Sequence, residues 1–204
     1  MKATKNTRNM FDLFCHNISD AFIKKGRIDS EDREIFAYGI SRLIVNAIMI
    51  VVFTIIGLFF RHLLEIYVFL LFFIPLRKFA GGFHCESFVT CSVASCLCVI
   101  SPIVINTYID YIPAFFAMWI MSGAIIIGLS PIQDHRKKLS TEENLVYRKR
   151  TIIIFFFSSI ICLIAYILHY LVIFKVVIDV CGVVGLLLVS GYIKNMVKKV
   201  LFFS

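Results

Sequence analysis

At 204 residues, 60% hydrophobic and 15% aromatic with 21 Phe against one Trp, the chain is far more apolar than an ordinary soluble domain, where about 45–50% apolar residues is usual. Its mean hydropathy of +0.90 is gathered into long runs that a small core could not bury, which excludes a soluble enzyme or a disordered chain and leaves a polytopic membrane protein. The net charge of +8 would suggest nucleic acid for a soluble chain, but here the basic residues lie between apolar runs, so topology accounts for them and no nucleic-acid partner is expected.

In chain order, Phe11, Phe14, Ile18 and Phe22 recur at roughly helical spacing, with Asp12, Asp20 and Lys24 between them. They predict an amphipathic helix that lies on the inner membrane surface or packs on the bundle. Gly26 ends it, and Asp29-Ser30-Glu31-Asp32 opens the next helix with acidic residues suited to a helix N-terminus. The first apolar run starts near residue 40, so no cleavable signal peptide is expected. Six spans follow, at 40–60, 63–76, 88–109, 112–130, 152–174 and 176–193. The second holds only 14 residues, short of the usual ~20, yet a hairpin at Arg61-His62 needs it. Ser140 and Glu143 fit a capping box that starts the helix leading into the fifth span.

Lys and Arg divide 19 to 2 between alternate connecting segments, with Arg61 and Lys175 in the minority set. The positive-inside rule then places both termini in the cytoplasm. The expected fold is an all-α, multi-pass membrane protein with one membrane-embedded domain over 1–204: a cytoplasmic helical region 1–39, a six-span bundle 40–193 and a cytoplasmic tail 194–204. Arg61 with Glu65 and Lys175 with Asp179 are each four apart and expected to pair at the outer surface. Gly182, Gly185 and Ser190 suit close helix packing, Pro102 a kink, and Trp119 packing. The seven cysteines show neither a disulfide framework nor a CxxC metal pair.

The stretch from Pro75 to Ser87, PLRKFAGGFHCES, is the least explained by topology. Pro75 limits helix continuation, Gly81-Gly82 breaks the backbone, and polar groups then crowd the mouth of the third span. His84 and Cys91 supply an imidazole and a thiol, the two groups of a cysteine protease. Seven residues on one continuous helix would hold them about 10.5 Å apart along the axis, too far for a hydrogen bond. The backbone from Gly81 to about Ser87 is therefore expected to leave the helix so that His84 folds back over Cys91. Arg77 and Lys78 are the nearby cations, and Cys85, directly after His84, is a weaker nucleophile candidate. The plainer reading makes Cys91 an inert apolar filler and the two cations topology anchors. A transporter or scaffold is the competing class, although charged residues within the spans are almost absent. An intramembrane metalloprotease would need ligand spacing such as HExxH, which the sequence lacks.

Arg77, Gly81-Gly82, His84 and Cys91, set among spans with basic loops, resemble the accessory gene regulator B family of bacterial membrane endopeptidases. The stretch from Ser130 to Lys138, a proline-led turn into a basic loop, is similar to that family's segment after the fourth span. The resemblance implies a cysteine endopeptidase in the bacterial cell membrane, acting near the cytoplasmic face on an AgrD-like precursor of a quorum-sensing peptide. It implies Cys91 as nucleophile, His84 as base and acid, Arg77 and Gly82 as supporting residues, and a homodimer as a compatible assembly. It calls for no cofactor and no metal. The cut would release an acidic C-terminal tail, and a thioester on Cys91 would pass its acyl group to a substrate thiol, closing a thiolactone. The basic loops, including Arg136 to Lys138 and Arg148 to Arg150, would suit that acidic tail.

Overall fold

A computed structural model describes the backbone of residues 2–82, 88–132 and 140–203, and the side chains of 13–41, 43–82, 90–132 and 140–197. Its elements are α1 (Lys2–Lys24), a short 3-10 turn (Ser30–Asp32), α2 (Arg33–Phe60), α3 (Leu63–Ala80), α4 (Phe88–Tyr108), α5 (Ile112–Leu129), α6 (Thr141–Ile167) and α7 (Leu171–Phe203). The fold is all-α and polytopic, and the chain divides into two compact units, 1–52 and 53–204.

In the first unit, α1 stops where expected. Gly26 takes φ +64, its N–H bonds the Ile23 carbonyl and the Arg27 N–H bonds the Phe22 carbonyl, which satisfies carbonyls that the helix end leaves open. The buried face of α1 carries Cys15 and Ser19, while Leu13, Phe14 and Phe22 remain exposed to varying degrees. The helix meets α2 through the Phe22 and Phe36 rings and through Arg33, which donates to both Asp20 oxygens at 2.6 and 2.8 Å.

The Arg33 hydrogen bond holds the Asp20 carboxyl below its ordinary range. A depressed folded value means that the stabilisation is present above the unfolded pKa, about 3.9, and is lost as pH falls through the folded value. Acidification past that range is therefore expected to loosen α1 from α2, and Asp20→Asn to remove the acid-dependent part. Hydrogen exchange of the α1 amides, corrected for the intrinsic rate, measures this; an identical acid response in wild type and variant would refute it.

In the second unit α7 is the central helix. Every residue from Phe174 to Cys181 is buried, and α3, α4, α5 and α6 all pack against it. Gly182 lies against Met118 and Gly185 against Ser122, so these glycines bring α5 and α7 close, as small residues do in membranes. Ser190 does not share that role: it is exposed and its hydroxyl bonds back to the Leu186 carbonyl. Trp119 does more than pack, since its Nε1 donates to Ser159 Oγ at 3.1 Å between α5 and α6.

Among the described residues, five stretches are long and apolar enough to cross a membrane: Ser30–Phe60, Thr90–Tyr108, Ile112–Leu129, Thr141–Ile167 and Leu171–Val197. The expected second span lies in α3, whose 18 residues carry Glu65 in the first turn and Arg77 and Lys78 in the last; these end charges keep it out of that set. It is nevertheless built into the bundle, with Ile66, Phe69, Leu70, Phe72, Leu76 and Ala80 buried. Pro75 does not stop α3. A proline removes one backbone bond, which neighbouring helices can offset, and termination falls to Gly81.

The break between the last two spans is also displaced. It lies at 168–170, with His169 at φ 60, rather than at Lys175, which is buried within α7. The expected ion pairs are re-partnered. Lys175 Nζ reaches Asp110 at 2.7 Å, Ser101 Oγ lies 2.7 Å from Asp179 Oδ2, and Glu65 meets His62 at 2.7 Å. For Lys175 and Asp179 the tertiary fold brings closer partners than the one-turn neighbour on the same helix, whereas Glu65 finds its partner locally, at the N-cap of its own helix.

Candidate active site

The end of α3 organises the site. Gly81, at φ 72 and ψ −143, turns the chain out of the helix, its N–H still bonded to the Arg77 carbonyl. Gly82 follows at φ 108. This bent pair runs beside the segment that leaves α5, in which the Ser130–Pro131 bond is cis. The Ile132 N–H donates to the Ala80 carbonyl at 3.0 Å and the Gly82 N–H to the Ile132 carbonyl at 3.3 Å, forming a parallel bridge between Gly81 and Ile132. The glycine break and the proline-led turn, which are about 50 residues apart in sequence, thus form one junction.

Close approach explains the second glycine. A Cβ at Gly82 would lie 2.7 Å from Arg77 Nη1 and 2.9 Å from the carbonyl oxygen of Leu187 in α7. Arg77 and Gly82 are therefore brought together, with the guanidinium packed against bare backbone. Beside them the α6 start contributes an aromatic and cationic cluster. Phe79 meets Tyr147 edge-on at 5.5 Å, and Lys78 and Arg150 stand 5.7 and 5.2 Å from the Phe79 ring, within cation–π range. Ser140 and Glu143 form the expected capping box, fixing where α6 begins. The basic run Arg148 to Arg150 was visible in the sequence, but its place beside Phe79 depends on how α3 and α6 pack.

Cys91 is the fourth residue of α4 and exposed. First-turn amides of a helix have no intrahelical acceptor, so such N–H groups can serve a developing oxyanion. Gly81 and Gly82 do leave the helix, as expected for that part of 81–87. His84, Cys85 and Glu86 lie outside the described residues, as do Arg136 to Lys138. Among the described residues no group of three or more His, Cys, Asp or Glu side chains is gathered as a metal would require. Of the other described thiols, Cys15, Cys162 and Cys181 are buried and Cys96 and Cys98 half-buried. Brief treatment with a small alkylating reagent is expected to modify Cys91 well before Cys162 or Cys181. Mass spectrometry of the peptides checks this, and equal labelling of all three would contradict the burial pattern.

The profile of the family described as Accessory gene regulator B matches residues 15–203. The chain belongs to this family. It is 29% identical over 168 residues to an AgrB-like protein of Clostridium perfringens strain SM101, covering 73% of this chain and 75% of that one. It is likewise 29% identical over 157 residues to AgrB-like protein 2 of Clostridium perfringens strain 13, covering 68% and 70%. No solved structure matches. The AgrB family match spans both the glycine junction and α4, and it ties the multi-pass membrane fold to the processing of a quorum-sensing peptide precursor.

Proposed function

We propose that this AgrB-family protein is a membrane cysteine endopeptidase, with Cys91 as nucleophile and His84 as base and acid, that trims an AgrD-like precursor and leads it to a thiolactone. The observation that carries this reading is the junction at Gly81, Gly82 and Ile132, which ends α3 just before His84 and lets an exposed Cys91 stand on the first turn of a new helix. Its bonds to Ile132 and its contact with Arg77 brace the segment leading to His84.

The thiol loses its proton to His84, and the sulfur lone pair attacks the scissile carbonyl carbon. The tetrahedral oxyanion is held by amides of the α4 first turn. Collapse breaks the C–N bond, the amine leaves with the proton from His84, and the acyl group stays on Cys91 as a thioester. A substrate thiol then attacks that carbonyl, giving its proton to His84 and releasing the Cys91 sulfur, which takes the proton back; the product is a thiolactone. Water in place of that thiol would give a linear acid, so a water-poor site favours the ring. The distribution of basic residues supports a cytoplasmic side for the termini and the site, and the cations Lys78 and Arg150 suit an acidic tail.

A transporter would hold ionisable groups along a water-filled path; Lys175 and Asp179 are instead buried and bonded to Asp110 and Ser101. The deciding experiment reconstitutes the full chain in lipid vesicles with a precursor peptide and follows tail release by mass spectrometry. Release that persists in both Cys91→Ala and His84→Ala would overturn the proposal.

A further inference from the structure

α4, which carries Cys91, is held at a polar point about ten residues further along. Pro102 lies within this helix and has no N–H to give to the Cys98 carbonyl, its normal helical acceptor. The hydroxyl of Ser101 takes that place, with Oγ 2.8 Å from the Cys98 oxygen. The same Oγ is 2.7 Å from Asp179 Oδ2 on α7. A hydroxyl has one proton and accepting lone pairs. If that proton goes to the Cys98 carbonyl, the short contact to Asp179 needs a second proton, and the carboxyl is its source.

The surroundings agree with a carboxylic acid there. Asp179 is 3% exposed, in the middle of the fully buried run of α7. An isolated carboxylate is very costly to bury, and neutralisation avoids that cost. Lys175, one turn away on the same helix, has its ammonium on Asp110 and over the Phe115 ring. The described buried residues of α4 are Val99, Pro102 and Ile103, so the packing of this helix on the bundle centres on the same turn, while Cys91 and Thr90 at its start are exposed. At 1.5 Å per residue, Cys91 lies about 15 Å from this polar point.

We infer that Asp179 is a positioning residue that acts as a hydrogen-bond donor: through Ser101 it fills the gap opened by Pro102 and sets the rotation of α4, and with it the direction in which Cys91 is presented. This rests on the assignment of Cys91 as nucleophile. Asn can donate from the same place and Leu cannot, so the full chain in vesicles is compared as wild type, Asp179→Asn, Asp179→Leu, Ser101→Ala and Ser101→Thr.

Asp179→Asn and Ser101→Thr are expected to keep turnover within about twofold of wild type. Asp179→Leu and Ser101→Ala are expected to lower it roughly tenfold, the size of one lost buried hydrogen bond, in kcat rather than KM. Infrared difference spectra between wild type and Asp179→Asn are expected to show the C=O stretch of a protonated carboxylic acid, present only in wild type. Loss in Asp179→Asn as deep as in Asp179→Leu, absence of that band, or wild-type turnover in every variant would each overturn the inference. Should Asp179→Leu fail to fold, the serine pair and the infrared band still decide it. Alkylation of Cys91, read by mass spectrometry without any precursor, separates the two proposals. A changed rate in Ser101→Ala supports the anchor even if wild type releases no tail, and an unchanged rate counts against it.

Discussion

Replacing Cys91 by Ala is expected to end precursor cleavage entirely, and replacing His84 by Ala to lower it by a factor of about a hundred to ten thousand. The two losses differ in kind. Without the thiol there is no nucleophile and no thioester, so no acyl-enzyme can be trapped. Without the imidazole the Cys91 sulfur is still present to attack, but nothing takes its proton and the departing amine must find one in water. A slow residual rate in His84→Ala, beside none in Cys91→Ala, is therefore the expected signature. Hydroxylamine added during turnover should divert the acyl group of the wild-type enzyme to a hydroxamate. A precursor whose internal thiol is changed to Ala should be cut but give a linear acid. Ring closure of such a precursor, or hydroxamate formed by Cys91→Ala, would refute the thioester route. Cys85→Ala should leave the rate largely unchanged, because the proposed thioester forms on Cys91.

How far the sequence reached can be judged at particular residues. Apolar run length predicted most helices because hydropathy is a local property, and the ends of α1 and the start of α6 were legible because Gly26 and the Ser140–Glu143 box are local backbone devices. The break before α7 was misplaced because a charge, Lys175, stood out in an apolar run. In the fold that charge is bonded to Asp110 from another connection, and the real turn, at His169 in a left-handed conformation, has no Gly or Pro to announce it. The same blindness to tertiary partners hid Asp179: four residues from Lys175, it looked like half of a surface pair, whereas its partner Ser101 is 78 residues away. At the site, the glycine pair was visible as a break and the proline-led turn as a separate feature. Their pairing through Ile132 depends on α3 and α5 ending at the same level, which no local pattern encodes. Arg77 stood out through family resemblance, while the reason for Gly82 beside it became visible only with the Leu187 carbonyl in place.

Gly82→Ala and Gly81→Ala should each lower cleavage at least tenfold while leaving Cys91 and His84 chemically intact. Gly81 holds a backbone conformation that side chains rarely adopt, which costs about 1–3 kcal/mol for any other residue, and its new Cβ would collide with the Ile132 carbonyl oxygen. The bridge to Ile132 would have to open. Gly82 is constrained differently. Its Cβ would press on Arg77 Nη1, the tip of a flexible side chain, and on the Leu187 carbonyl, which is backbone. If the arginine were the real obstacle, Arg77→Ala would restore Gly82→Ala; the carbonyl of α7 cannot withdraw, so the double variant is expected to remain as impaired as the worse single one. Gly128 supplies the control, since a Cβ there meets nothing within 4 Å, and Gly128→Ala in the same bundle should cut at the wild-type rate. Because 1.4 kcal/mol corresponds to about a factor of ten, the strain at Gly81 alone accounts for such a loss if it is relieved by moving the segment that leads to His84. Near-wild-type cleavage by Gly82→Ala, with normal amounts of protein in the membrane, would mean that the junction does not brace the proposed base His84, and that the packing of α3 against α7 has no part in positioning it.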